Sequence, residues 1–208
     1  MMRFTGVMVT VTMVVSVYPV WAQENPLRDE EARVDIVTDK GLEYLARVQN
    51  ADGSWPSGYG KSTGITSLAI MAFLAKGHLP GEGPYGDLIE KGIRWVLSQA
   101  QENGALASRT GSSHGPMYSH GISTLMLTQV VGMCDEELSD QIRPKLQKAV
   151  ELILKAQALR KKNASHQGGW RYSWNSQDSD ISCTGWQLMS LRGAKNCGAD
   201  VPVSAVNE

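Results

Sequence analysis

The sequence predicts an all-α protein built from about three helical hairpins, and a recurring pattern is the main reason. Three segments begin with Lys followed by Gly or Ala, continue with apolar residues at helical spacing, and end at a Gln and a glycine turn; they start at Lys40, Lys91 and Lys148. Each is followed by a second segment that is apolar on most sides. Because recurrence at a period of about 50 to 60 residues is typical of repeat architectures, we expect stacked hairpins.

The N-terminal segment has the order of a secretory signal peptide. Arg3 gives a basic start, residues 4–17 are apolar, and the small residues Val20 and Ala22 stand where a signal peptidase cleaves. We therefore expect export to the periplasm or the cell exterior, with cleavage after Ala22. An uncleaved membrane anchor is the alternative, although the run is short for a span and Pro19 interrupts its end.

These features divide the chain of 208 residues into three parts. We expect a signal peptide at residues 1–22, a linker at 23–33 and one repeat domain at 34–208. After signal cleavage no stable membrane span is expected. With 20 Lys and Arg against 21 Asp and Glu, the net charge of −1 gives no electrostatic footprint for nucleic acid.

The cysteines do not predict a metal site or a disulfide framework. There are three of them, at irregular spacing and without a CxxC pair, so zinc is not expected. No motif indicates a cofactor. The cysteines are Cys134, Cys183 and Cys197.

The two helices of each predicted hairpin differ in character. The first is amphipathic and should expose one side, whereas the second is apolar on most sides and should be buried. The second helices align at Thr66, Ser123 and Thr184, which places Ser119 opposite Asp180. The amphipathic stripe contains Val37, Tyr44, Leu45 and Val48 in the first copy and Val150, Ile153 and Leu154 in the third.

The recurring segment resembles the QW motif of squalene-hopene cyclases, oxidosqualene cyclases and protein prenyltransferases, known as the prenyltransferase and squalene oxidase repeat. Residues 40–55 match this motif, and residues 148–170 match it apart from a polar insert. The second copy departs from it at Leu106, which stands in the Trp position. The resemblance covers about residues 34–208 and implies an α/α-toroid.

The Gln and Trp of this motif are expected to stabilise the fold. A Gln near a helix end can satisfy backbone groups there, and an indole from the following loop can cover it. We therefore predict a structural role for Gln49 with Trp55 and for Gln157 with Trp170.

Two carboxylates before the last long helix are the candidate catalytic residues. Squalene-hopene cyclases carry a DxDD motif ahead of an inner helix; Asp178 and Asp180 match its first two acidic positions, and Ile181 replaces the third. The resemblance implies Asp180 as proton donor with Asp178 as its supporting carboxylate. A carboxylic acid can protonate an alkene only if it is held neutral in a dry cavity. The alternative is that one of them caps the following helix.

Four residues are candidates for ligand binding on the inner side of the array: His120, Tyr172, Trp174 and Trp186. Their types suit an apolar lipid or isoprenoid ligand, or a glycan. For His120 the alternative is a hydrogen-bonded structural histidine.

Closed toroids of the resembled family use about five to seven hairpins, whereas this chain holds about three. We expect an open, incomplete toroid, or one that closes by homo-oligomerisation. The first hypothesis for function is an exported protein that binds an apolar or glycan ligand, or serves as a scaffold, without catalysis. The alternatives are a squalene-hopene cyclase-like isomerase that uses Asp180, and a carbohydrate-active enzyme of toroid fold.

Overall fold

The computed structural model describes residues 26–58, 60–108 and 115–207. The segment predicted as a signal peptide lies outside these residues, so export stays a prediction. Contacts divide the chain into two units, residues 1–39 and 40–208.

In the first unit, the described residues are helical from Pro26 onward. Residues 26–33, which the sequence analysis places in a linker at residues 23–33, are thus helical. The sequence there carries helix-start signals, a Pro followed by the acidic Glu30 and Glu31. These signals are easily overlooked in a segment with few apolar residues to show a period.

In the described residues the protein is all-α, as predicted, apart from one short antiparallel ribbon of β1 (Pro56–Ser57) and β2 (Gly60–Lys61). Two short 3-10 turns, Gly83–Tyr85 and Ala164–His166, lie in the connections. The α-helices are α1 (Pro26–Val48), α2 (Thr63–Ala75), α3 (Gly86–Ser98), α4 (Pro116–Val130), α5 (Glu136–Ala158), α6 (Ile181–Asn196) and α7 (Ser204–Asn207).

The helices of the second unit form two layers. In the inner layer α4 packs between α2 and α6, and in the outer layer α3 packs on α2 while α5 packs on α4 and α6. The inner helices differ in burial. Helix α4 is buried on most sides, as predicted, but α2 and α6 expose Leu68 and Leu188. Among the described helices, α4 alone has an inner helix on each flank, whereas α2 and α6 each have one inner neighbour.

The amphipathic stripe is confirmed in α5 and partly wrong in α1. In α5, Val150 and Ile153 are fully buried. In α1, Tyr44 is 56% exposed and Val37 is 70% exposed, whereas Leu42 is only 3% exposed. The buried side of α1 therefore runs through Leu42, with Leu45 and Val48 packed at its edge.

Trp55 ties the first inter-helix loop to the helices on both sides of it. Its side chain is 1% exposed, and its indole Nε1 donates to the carbonyl of Leu45 in α1 at 2.8 Å. Its backbone N–H donates to Oγ1 of Thr66 in α2 at 3.1 Å. One residue thus fixes the loop to the preceding outer helix and to the following inner helix.

Trp170 makes the same pair of bonds in the third hairpin. Its indole Nε1 donates to the carbonyl of Ile153 in α5 at 2.9 Å, and its backbone N–H donates to Oγ1 of Thr184 in α6 at 3.1 Å. Trp170 is also 1% exposed, so both of its donors are satisfied inside the protein.

The two motif glutamines connect successive outer helices. Nε2 of Gln49 donates to the carbonyl of Leu88 in α3 at 2.9 Å and to that of Gly53 at 3.0 Å. Nε2 of Gln157 donates to the carbonyl of Ala205 in α7 at 3.0 Å. Each glutamine therefore joins the end of one outer helix to the beginning of the next.

In the second hairpin a histidine replaces the threonine hydroxyl. The backbone N–H of Leu106 donates to Nδ1 of His120 at 3.0 Å, as Trp55 and Trp170 donate to Thr66 and Thr184. We call Thr66, His120 and Thr184 the acceptor position of the inner helices.

The sequence alignment at Ser123 is consequently wrong by three residues. It matched one hydroxyl side chain with another, whereas the equivalent acceptor is an imidazole nitrogen. Ser119 is not the counterpart of Asp180 either: it lies inside α4, 7% exposed, with its Oγ 3.3 Å from that of Ser62, whereas Asp180 precedes α6.

The acceptor position can be tested in the first hairpin. Thr66→Val keeps the shape of the side chain but leaves the buried N–H of Trp55 without its acceptor, so we expect a loss of about 1–3 kcal/mol in the free energy of unfolding. Thr66→Ser keeps the hydroxyl and should cost less. Urea unfolding followed by tryptophan fluorescence measures both, and equal stability of the Val variant and the parent protein would contradict this role.

Candidate functional site

Polar and aromatic side chains meet next to the start of α6. The rings of Tyr118 and Tyr172 are stacked, with centroids 5.8 Å apart. The guanidinium of Arg171 lies 4.6 Å from the centroid of Tyr172, and its Nε is 3.3 Å from a carboxylate oxygen of Asp178. We call these four residues and Asp180 the entrance cluster.

Asp180 is the N-cap of α6. Its Oδ1 accepts hydrogen bonds from the Ser182 hydroxyl at 2.6 Å, the Cys183 N–H at 2.9 Å and the Tyr118 hydroxyl at 3.2 Å. These bonds, led by that of Ser182, stabilise the ionised form and lower the pKa of the Asp180 carboxyl below its ordinary value. A proton donor to an alkene needs the opposite shift, so the geometry favours capping over acid catalysis.

Asp178 holds the Arg171 guanidinium over the tyrosine pair. Its carboxylate is 46% exposed, so the ion pair lies in a solvated environment. It therefore orients Arg171 beside Tyr172 and does not provide the dry, proton-sharing environment expected for a supporting carboxylate.

His120 is fully buried and both of its ring nitrogens contact backbone groups. Because Nδ1 accepts from Leu106, the proton lies on Nε2, which donates to the carbonyl of Ala149 at 3.2 Å. Burial lowers the pKa of His120 to about 4. The ring is fully buried and both of its nitrogens are engaged, so the geometry favours the structural alternative for His120 over ligand binding.

The other three predicted ligand-binding residues keep exposed surface but do not form one pocket. Tyr172 belongs to the entrance cluster, and Trp174 is partly buried against the core. Trp186 is partly exposed on α6. The structure thus brings Tyr172 together with the two aspartates, whereas Trp186 lies further along α6.

Trp186 belongs to an apolar row across the three inner helices, and it is the one member of this row that sequence analysis predicted as a ligand-binding residue. The residues two and five positions after the acceptor position are apolar in every inner helix, and by helical periodicity they share one face. Leu68 is 40% exposed and Met189 is 46% exposed, while the others are more covered. This inner-face row consists of Leu68, Met71, Ile122, Leu125, Trp186 and Met189.

The inner-face row leads to the entrance cluster. Two positions before the acceptor position stand Tyr118 in α4 and Ser182 in α6, whose hydroxyl oxygens contact each other. The same face therefore changes from apolar to polar at the beginning of α4 and α6. An alignment of the inner helices with His120 at the acceptor position would have shown this change from apolar to polar residues in the sequence. The alignment at Ser123 did not show it.

A polar cleft of about 840 Å³ lies elsewhere, between the first loop and the end of α3. At its edge Nζ of Lys61 is 2.5 Å from Asp52, and this ammonium lowers the pKa of Asp52 to about 2. The cleft is formed by loops that are distant in sequence, so no local pattern predicts it. Its other lining residues are Trp95, Ser98, Gln99, Ala100, Gln101, Glu102, Asn103, Ala107 and Ser108.

Comparison with models of known protein families finds none that matches this chain, and no curated protein matches it in sequence. Within the part of the chain that the structure describes, no helix is both long and apolar enough to cross a membrane.

The buried His120 predicts a pH dependence of stability. Its pKa is about 4 in the folded protein and about 6.5 in the unfolded chain, so the unfolded chain binds the extra proton between these values. The contribution is fully present above pH 6.5 and is lost as the pH falls toward 4, by about 3 kcal/mol in total.

His120→Asn keeps an acceptor near the Leu106 N–H but does not titrate in this range. Denaturant unfolding between pH 7 and pH 5 should therefore show a smaller loss of stability for this variant than for the parent protein. Equal pH dependence of the two proteins would contradict a buried, neutral His120.

Proposed function

We propose that this protein is a binding module whose inner-face row holds an apolar ligand of the isoprenoid or lipid type, without catalysis. The observation that carries the proposal is that one face of three adjacent inner helices is apolar and partly open to solvent: Leu68 is 40% and Met189 is 46% exposed at its two sides, while Ile122 in the central helix is buried. A contiguous exposed apolar surface on a protein marks a site of interaction. Side chains at the contacts between α2, α4 and α6 are buried, whereas Leu68, Met71, Leu125, Trp186 and Met189 keep exposed surface that a partner can contact.

The entrance cluster supports an amphipathic ligand. An apolar chain along Leu68, Leu125 and Met189 would have its polar end near Tyr118 and Asp180. There the hydroxyl of Tyr118 and the ionised carboxylate provide hydrogen-bonding groups, and Arg171 provides a cation. Ligand sites commonly combine an apolar lining with a few polar groups that fix the orientation of the ligand.

The state of Asp180 favours binding over cyclisation. Its carboxyl is ionised and hydrogen-bonded as a helix cap, and the inner-face row is open to water. Carbocation chemistry requires a neutral strong acid and the exclusion of water. Neither requirement has support in the geometry.

The proposal includes a relation to the QW-repeat toroid proteins and export from the cytoplasm. The relation is supported by the pattern of residues 40–55 and 148–170 and by the matching bonds of Trp55 and Trp170. Export is supported by the N-terminal segment with its small residues before Gln23.

Glycan binding is a second candidate, and the polar cleft is the observation that favours it. Its volume is within the range of ligand sites, about 300–1,000 Å³, and carboxamide groups of Gln99, Gln101 and Asn103 line it. Such amides suit the hydroxyl groups of sugars. Binding of neutral oligosaccharides that is lost in Gln99→Ala would favour this candidate over the first.

The apolar row can be tested with tritiated farnesol and squalene as probes. Leu68→Gln and Met189→Gln change two exposed side chains, so the fold should persist while apolar contact area is lost. We expect at least a tenfold weaker binding, about 1.4 kcal/mol, for the double variant.

Leu79→Gln is the matched control, because Leu79 is 37% exposed but lies in the turn after α2. Its affinity should equal that of the parent protein. If the double variant bound the probes as tightly as the control, the inner-face row would not be the site.

A further inference from the structure

The side of α6 that is turned away from α4 carries an exposed stripe. Ile181 is 87% exposed and Leu188 is 36% exposed, and Gly185 and Arg192 lie on the same side at helical spacing. A Cβ added to Gly185 would meet no atom within 4 Å. This stripe is distinct from the inner-face row, which lies on the neighbouring side of the helix.

The corresponding position is occupied in both other inner helices. One residue after the acceptor position, α2 has Ser67, whose hydroxyl donates to Ser123 of α4 at 3.0 Å. In α4 the same position is Gly121, where an added Cβ would lie 2.4 Å from Nε2 of Gln187 in α6. At this position α2 and α4 each contact a side chain of the following inner helix. In α6 the same position, Gly185, is open.

We propose that the stripe of α6 binds the same stripe of a second copy of this chain, with the two helices antiparallel about Gly185. Such a contact is isologous, because the same surface is used twice and the assembly closes as a dimer. The arrangement brings Ile181 of each copy near Leu188 of the other. The absence of a side chain at Gly185 lets the two helices approach closely at the centre.

The charges at the ends of α6 support the antiparallel direction. Asp178 and Asp180 precede the helix, whereas Arg192 and Lys195 lie in its last turns. Antiparallel pairing places each acidic end beside a basic end, and it also opposes the two helix dipoles. Parallel pairing would bring like charges together.

Light scattering on the purified chain tests the association. We expect a mass of two chains for the parent protein and of one chain for the variant Ile181→Gln with Leu188→Gln. Because these side chains are exposed, circular dichroism of the variant should match that of the parent. The control Met133→Gln with Val203→Gln changes exposed apolar residues elsewhere, at 45% and 62% exposure, and should remain dimeric.

A cross-link tests the geometry. In Gly185→Cys, mild oxidation should give a disulfide that joins position 185 of one copy to position 185 of the other, identified by mass spectrometry. Gly132→Cys is the control, because a Cβ added to Gly132 also meets no atom within 4 Å, but Gly132 lies after α4. A monomeric parent protein, a dimer that survives the Ile181 and Leu188 changes, or the absence of a 185–185 link would each overturn the proposal.

Discussion

The loop that follows each outer helix is fixed by one backbone hydrogen bond, from its N–H to a side chain of the next inner helix. Thr66, His120 and Thr184 accept this bond, at 3.0–3.1 Å. The bond sets the rotation of every inner helix relative to its outer neighbour. It therefore decides which side chains enter the core, which contact the next inner helix and which form the inner-face row. A change of three residues in this register would move all of these faces.

The sequence predicted which segments form outer and inner helices better than it predicted how the inner helices align with one another. Periodicity and glycine turns were sufficient for an all-α fold with outer and inner helices, because both depend on local patterns. The equivalence of His120 with two threonines was not predictable, since a ring nitrogen and a hydroxyl share only the ability to accept a hydrogen bond. The complete inner-face row and the open position at Gly185 depend on that equivalence, so sequence reasoning predicted only Trp186 of the row and did not predict the open position.

The residues that were predicted to be catalytic or ligand-binding show a second limit of prediction from sequence. Asp180 and His120 have the types that catalysis uses, yet each is engaged by backbone groups, at a helix N-terminus and inside the core respectively. A carboxylate before a helix and a histidine in a buried helix have structural uses that residue type alone cannot separate from catalytic ones. In contrast, the surfaces left open in the described residues are apolar stripes and a polar cleft, which suit binding.

Binding at the inner-face row is tested most directly by a titration with farnesol followed by methyl NMR of the leucine and methionine side chains. We expect the signals of Leu68, Met71, Leu125 and Met189 to shift together, because these methyl groups belong to one surface. The methyl group of Met133, outside that surface, should not move. Shifts confined to residues outside the inner-face row, or the absence of saturable shifts, would contradict the claim that this face is the binding site.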